Sequence, residues 1–287
     1  MPPAVTATTL RQGPARSPEV LRAEAVGSLG HLPADTKAVI TVSIDDILGH
    51  EALAKIVRAA LADARITALL AIAPPCARTL VGDSDWLTYG APKLGDSDHG
   101  TMIVGGRWTS EDVATCFSAT AEPGAAGVWQ IHNFGFLARI DAHAVLLTTR
   151  HDLDPPALAA LAARSRTEGP PAAIRAALAA LPADRAIGVV VDRTSGDDFS
   201  ATLELPAGTG LAGSLRVEKD GVALDAIADS HDVALATSIE GRVRPQLAPL
   251  ALFGDLAITR KGSALRLAGH LSDGFFATLA ASTFGKP

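Results

Sequence analysis

Aromatic residues are scarce in this chain, with one Tyr, three Trp and eight Phe among 287 positions. Surfaces that stack on nucleic-acid bases lean on such side chains. Their shortage argues against that partner class and leaves Ala, Leu, Val and Ile to build the core. Positive charge is not in excess either. The formal net charge is −6, and the 25 basic residues are dispersed, with no run longer than Arg260-Lys261. A phosphate backbone is held by clustered Lys and Arg, so no nucleic-acid partner is expected.

Long apolar runs are also missing. The longest candidate, Ile66 to Ala73, falls far short of the ~20 residues of a membrane span, so no transmembrane segment is expected. Residues 1–9 contain neither a basic n-region nor a continuous apolar h-region. On that ground the chain is either cytoplasmic or lacks a removed export signal. Two cysteines, Cys76 and Cys116, are too few for a disulfide framework or for a zinc site of their own. They read either as one bridge closing a loop of about forty residues or as two separately buried thiols.

Hydrophobic residues make up 48% and charged residues 20%, the balance of a globular chain long enough for two ordinary domains. An internal repeat supports two. Leu32-Pro33-Ala34-Asp35, followed by a β-branched run to Val42, returns 149 positions later as Leu181-Pro182-Ala183-Asp184 before a run to Val191. Each copy reads as a proline-marked turn leading into a strand. Thr167-Glu168-Gly169-Pro170-Pro171 is the strongest break between them. The expected domains are a mobile leader over residues 1–30 with one short helix over Pro18 to Ala25, a first α+β domain over 31–166 and a second over 172–285.

Along the chain, a helix with a continuous apolar stripe is expected over Ile47 to Leu61, capped by Asp45 or Asp46. Cys76–Val81 reads as a strand and Asp83 to Gly100 as a polar, Gly-rich loop. Thr109 and Asp112 have capping-box spacing, with Val113, Cys116 and Phe117 on one face of the helix they open. Residues 128–132, 136–140 and 144–149 read as sequential strands. Asp220-Gly221 and Lys261-Gly262 mark hairpins. Short connections of this kind imply an α+β fold of two related domains, mainly antiparallel sheets with helices packed on one face.

Candidate chemistry is thin. Gly208-Thr209-Gly210-Leu211-Ala212-Gly213 fits the dinucleotide pattern in letters, but a strand is expected after it where a phosphate-binding helix is required, so no cofactor is expected. Gly82-Asp83-Ser84-Asp85 recurs as Gly95-Asp96-Ser97-Asp98, followed by His99. Asp83, Asp85, Asp96, Asp98 and His99 are thus the candidate oxygen and imidazole ligands for a metal, against the plainer reading that Asp, Ser and Gly here form solvated turns. His151-Asp152 and His231-Asp232 read as helix N-caps. Nothing assembles a nucleophile with a base, so no enzymatic activity is expected.

Leu32-Pro33-Ala34-Asp35 before a Val/Ile strand, a Cys, then Gly105-Gly106-Arg107-Trp108 and Glu111-Asp112-Val113-Ala114-Thr115-Cys116-Phe117 together resemble a group of bacterial cell-envelope proteins. These are lipoprotein-like, with tandem α+β repeats. The resemblance implies a Cys76–Cys116 disulfide and export to the periplasm or cell envelope. The lipid-bearing Cys of such lipoproteins has no counterpart before Cys76, so anchoring is not carried over, and the group supplies no catalytic residue. The expected role is a non-enzymatic binding or scaffold module for a protein partner. The alternatives are a carrier of an apolar ligand in a helix–sheet groove lined by Ala and Leu, and a metal-dependent hydrolase using the Asp83–His99 loop.

Overall fold

The β-branched runs that follow the two Leu-Pro-Ala-Asp copies do form strands, and those strands pair with each other. The computed structural model describes residues 17–62, 76–93, 96, 98–132, 134–165, 169–192 and 208–284. Its first half runs α1 (Pro18–Ser28), a 3-10 turn, β1 (Ala38–Ser43), α2 (Ile44–Gly49), α3 (Glu51–Ala62), α4 (Ala77–Gly82), β2 (Ser84–Ala91) and β3 (Thr101–Gly106). It continues with α5 (Ser110–Cys116), β4 (Thr120–Ala121), β5 (Val128–Ile131), β6 (Gly135–Arg139), β7 (Ala144–Thr148) and α6 (Pro155–Ala162). The second half comprises α7 (Ala172–Ala180), β8 (Ile187–Val191), β9 (Gly210–Glu218), β10 (Gly221–Asp229), α8 (Val233–Leu247), β11 (Ala257–Lys261), β12 (Ala264–Ser272) and α9 (Asp273–Phe284).

The strands form one 12-stranded sheet in the order β11-β12-β10-β9-β8-β1-β2-β3-β7-β6-β5-β4, antiparallel throughout. The fold is α+β, with helices packed against an antiparallel sheet. At the centre, Ile40 lies opposite Val189. These positions are 149 apart (189 − 40), the same interval that separates the motif copies. Ala38↔Val191 and Val42↔Ile187 are then exchanged by the same operation. The register of the central pair therefore has a local two-fold through Ile40 and Val189.

Side chains alternate across a strand, and β7, whose five residues are all buried, shows what this does. Ala144 and Leu146 join a core with Leu21, Leu158, Leu161, Ile174 and Leu178, supplied by α1, α6 and α7. Val145 and Leu147 join a second core with Trp108, Val113 and partly buried Leu80 and Phe117, beneath α4 and α5. Helices thus cover both faces of the sheet in the first half. In the second half, α3 and α9 close over Val222 and Leu271 through Leu53 and Phe276, while α8 sets Ala236 and Ile239 against Ile258 and Leu265.

Several local expectations change. The short helix expected over Pro18 to Ala25 runs on to Ser28 and is packed down: Leu21 is 5% exposed and belongs to the first core. The helix expected over 47–61 is two helices that break at His50, the first capped by Ser43 Oγ, which accepts from Asp46 N at 3.3 Å. Cys76–Val81 is helical from Ala77, and much of the expected loop from Asp83 is strand β2. The polar letters Ser84 and Asp85 hid that strand; both are buried, Ser84 Oγ donating to Leu80 O of α4 and Asp85 accepting from Arg107 Nε just past β3. Asp152 does not cap α6. Asp154 does, accepting from Ala157 N, while Asp152 binds Arg150. Asp232 caps α8 as expected, and Gly210–Gly213 belong to β9. Residues 166–168 of the expected boundary lie outside the described residues.

Candidate binding cleft

Pro18 at the first helical position presets φ for a helix start, and the helix it opens carries Leu21, Ala25 and Leu29 at i, i+4, i+8 toward the sheet. Two hydrogen bonds fix its place: Ser28 Oγ donates to Thr88 Oγ1 at 2.8 Å, and Trp86 Nε1 donates to Glu24 at 3.2 Å. Helix α7 sets Ile174 and Leu178, each 1% exposed, into the same core. Between α1 and α7, above β1 and beside the segment leading into β8, lies a cleft of about 660 Å³. Its walls include Leu21, Ala25, Leu178, Ala179, Leu181 and Ala186. That volume is in the range of small-molecule sites, which are mostly apolar with a few placed polar groups.

Polar groups of the cleft include Thr41, Ser43, Asp45 and Asp46 beside Arg22, Arg175 and Arg185. Asp45 accepts from Arg107 Nη2 at 3.3 Å, and Arg107 Nε donates to Asp85 at 3.1 Å. Asp85 is fully buried and the Arg107 side chain 7% exposed. A buried carboxylate of this kind is tolerated only when paired, and removing one partner typically costs ~3–5 kcal/mol. Asp85 is therefore committed to the sheet and to Arg107.

Arg185 lies along the strand it precedes. A Cβ on Gly188 would stand 2.6 Å from Arg185 Nε and 2.7 Å from Thr41 Oγ1, so the missing side chain makes the room the guanidinium uses. Arg185 Nη1 donates to Pro182 O at 2.8 Å, whereas its Nε, closed off from water, has no hydrogen-bond partner. Burial pushes this guanidinium below the usual arginine pKa. In the first repeat copy the equivalent positions, 149 earlier, are Thr36 and Val39. The paired departures, Thr to Arg and Val to Gly, were the sequence signal that could have pointed to Arg185.

The residues singled out from sequence end up apart. Asp83 follows α4, and its carbonyl accepts from Arg107 N at 2.9 Å. Asp96, Asp98 and His99 lie beyond the far end of β2, on the order of 20 Å along the strand from Asp85 at ~3.4 Å per residue. Asp96 accepts from the main-chain N–H of Asp98 and of His99, both at 3.1 Å, and faces the His99 ring at 3.0 Å. Burial alone would raise its pKa, but the hydrogen bonds from His99 and Asp98 bring it below the ordinary value. Among the described residues, no group of three or more His, Cys, Asp or Glu is placed to hold a metal ion. Cys76 and Cys116 do come together: they are disulfide-bonded, with their Cα atoms 5.8 Å apart.

No protein-family model matches this chain, and no curated protein matches it. Among solved structures, crystal form I of TP0453 is similar with a TM-score of 0.51 at 11% identity, covering 90% of this chain and 97% of that one. Crystal form IV of TP0453 gives 0.52 at 10% identity, covering 88% and 96%. At such identities the likeness concerns the fold, and it extends over both halves of the sheet.

Proposed function

We propose that this chain is a non-enzymatic, exported cell-envelope protein acting as a binding module, and that its ligand is apolar and sits between α1 and α7. The carrying observation is the cleft itself, a space of about 660 Å³ walled by Leu and Ala side chains of two helices over the central strands. Support for export comes from the Cys76–Cys116 bond, since such bonds persist in oxidising compartments. No helix among the described residues is long and apolar enough to cross a membrane. The hydrolase alternative gains nothing from the separated acidic residues.

The test is titration of the full chain, with its disulfide intact, by the fluorescent apolar dye N-phenyl-1-naphthylamine. The expected result is saturable binding at one dye per chain. Ala179→Trp, on an exposed turn of α7 that borders the cleft, and Ala25→Trp, on α1, should each weaken it at least about tenfold by filling the space. Unchanged binding in both variants, or no binding by the unaltered protein, would remove the reading.

A further inference from the structure

We infer that the ligand of this cleft is an anionic amphiphile, whose apolar chain lies between α1 and α7 and whose oxyanion head, a carboxylate or a phosphate monoester, is held by Arg185 and Arg175. This rests on the apolar-ligand reading above and adds the head group. The reason is an imbalance in how the fold treats its arginines. Arg107 faces Asp85 and Asp45, Arg150 faces Asp35 and Asp152, and Arg216 faces Asp184 and Glu218. Arg185 and Arg175, both half-buried, bond only to main-chain carbonyls, those of Pro182 and Pro170, with no carboxylate within ion-pair distance among the described residues. Both line the cleft.

The neighbouring acids are turned elsewhere. Asp184, adjacent in sequence to Arg185, pairs with Arg216 at 3.5 Å. Asp45 accepts from Arg107. Because the single Arg107 serves both Asp85 and Asp45, that cluster keeps one net negative charge, and the cleft sets Arg22, Arg175 and Arg185 against it and Asp46. A guanidinium drawn out of water without a counter-charge is costly, and it offers five N–H donors in a fork that fits carboxylate or phosphate. An oxyanion at this position relieves the cost, while an apolar tail fills the Leu and Ala walls. A free small anion would leave those walls empty, and a neutral apolar molecule would leave Arg185 uncompensated.

The experiment uses the full chain with N-phenyl-1-naphthylamine bound, displaced by twelve-carbon probes below their micellar concentrations at pH 8. Dodecanoate and dodecyl phosphate should displace the dye at concentrations at least about tenfold lower than dodecanol or dodecyltrimethylammonium, a preference of about 1.4 kcal/mol. Arg185→Gln should abolish that preference while leaving dodecanol within about twofold of its original value, and Arg185→Lys should keep part of it. Arg175→Gln, a second route should Arg185→Gln fail to fold, should lower the preference without affecting dodecanol. Equal displacement by dodecanol and dodecanoate would overturn the inference yet leave the cleft reading standing. So would Arg185→Gln weakening both probes alike, or acetate or inorganic phosphate displacing the dye unaided. Absence of dye binding in the unaltered protein would instead sink the cleft reading on which the inference rests.

Discussion

The repeated aspartates of the two Leu-Pro-Ala-Asp motifs each hold an arginine distant in sequence. Asp35 accepts from Arg150 at 2.8 Å, across 115 positions, and Asp184 faces Arg216 at 3.5 Å. Neither partner is foreshadowed by spacing, because each is set by where a strand end arrives. The Arg150 side chain is 6% exposed and also donates to Asp152 at 3.0 and 2.6 Å. That hydrogen bonding holds the Asp152 carboxyl below the ordinary aspartate value and raises Arg150 above its own. An aspartate whose folded pKa is depressed stabilises the fold fully above its unfolded pKa of about 3.9 and loses that contribution as pH falls through the folded value. The gap in urea midpoint between the unaltered protein and Asp152→Asn should therefore be greatest above about pH 5 and narrow steadily below about pH 4. A gap that stays constant from pH 6 to pH 3 would show that the ion pair contributes nothing dependent on charge.

At the scale of elements, the disulfide joins two short helices rather than a helix and a strand. Helix α4 has six residues and α5 has seven, lengths that do not hold in water without tertiary support. Helix α5 has the full capping box legible in the sequence: Thr109 Oγ1 accepts from Asp112 N, and Asp112 accepts from Thr109 N at 2.8 Å. Helix α4 has no such cap, and Cys76 is the residue just before it. Its other anchor is Ser84 Oγ, which donates to Leu80 O at 2.8 Å. Closing a loop of 40 positions should stabilise the protein by about 4 kcal/mol in the chain-entropy view. Replacing both cysteines by Ala is expected to lower the unfolding free energy by about 2–4 kcal/mol in urea titrations. A loss below about 1 kcal/mol would mean that the bond constrains little of the unfolded chain.

At the scale of the molecule, β1 and β8 are interior strands of a continuous sheet, each hydrogen-bonded on both sides. Val39 and Val190 pack into the same core as the helices lining the cleft. Native-state hydrogen exchange should place the amides of Val39–Val42 and Val189–Val191 in the slowest class, near the global unfolding free energy. Exchange there as fast as at the outer strands β4 and β11 would mean that the two halves open from one another below global unfolding. The cleft spans this junction, with α1 and β1 from one half and α7 with the segment leading into β8 from the other. Its shape therefore depends on the central pairing.

Local chemistry was readable along the chain. The capping box at Thr109, the hairpins at Asp220-Gly221 and Lys261-Gly262, the N-cap at Asp232 and the sequential strands β5 to β7 depend on residues within a few positions of each other. The antiparallel α+β character follows from the same short connections. Strand β2 was not readable, because its Asp85 is tolerated only through Arg107, 22 positions on. The break at His50 and the helical state of Ala77–Gly82 likewise depend on neighbours that folding supplies. The sequence by itself determined the repeat and those elements whose caps, turns and strand runs are local. Tertiary structure decided that the two β-branched runs meet at the centre of one sheet, that the acidic residues part company at opposite ends of β2, and that Arg175 and Arg185, bonded to main-chain carbonyls, line an apolar cleft. Those outcomes rest on pairing and burial between distant segments, which no local pattern encodes.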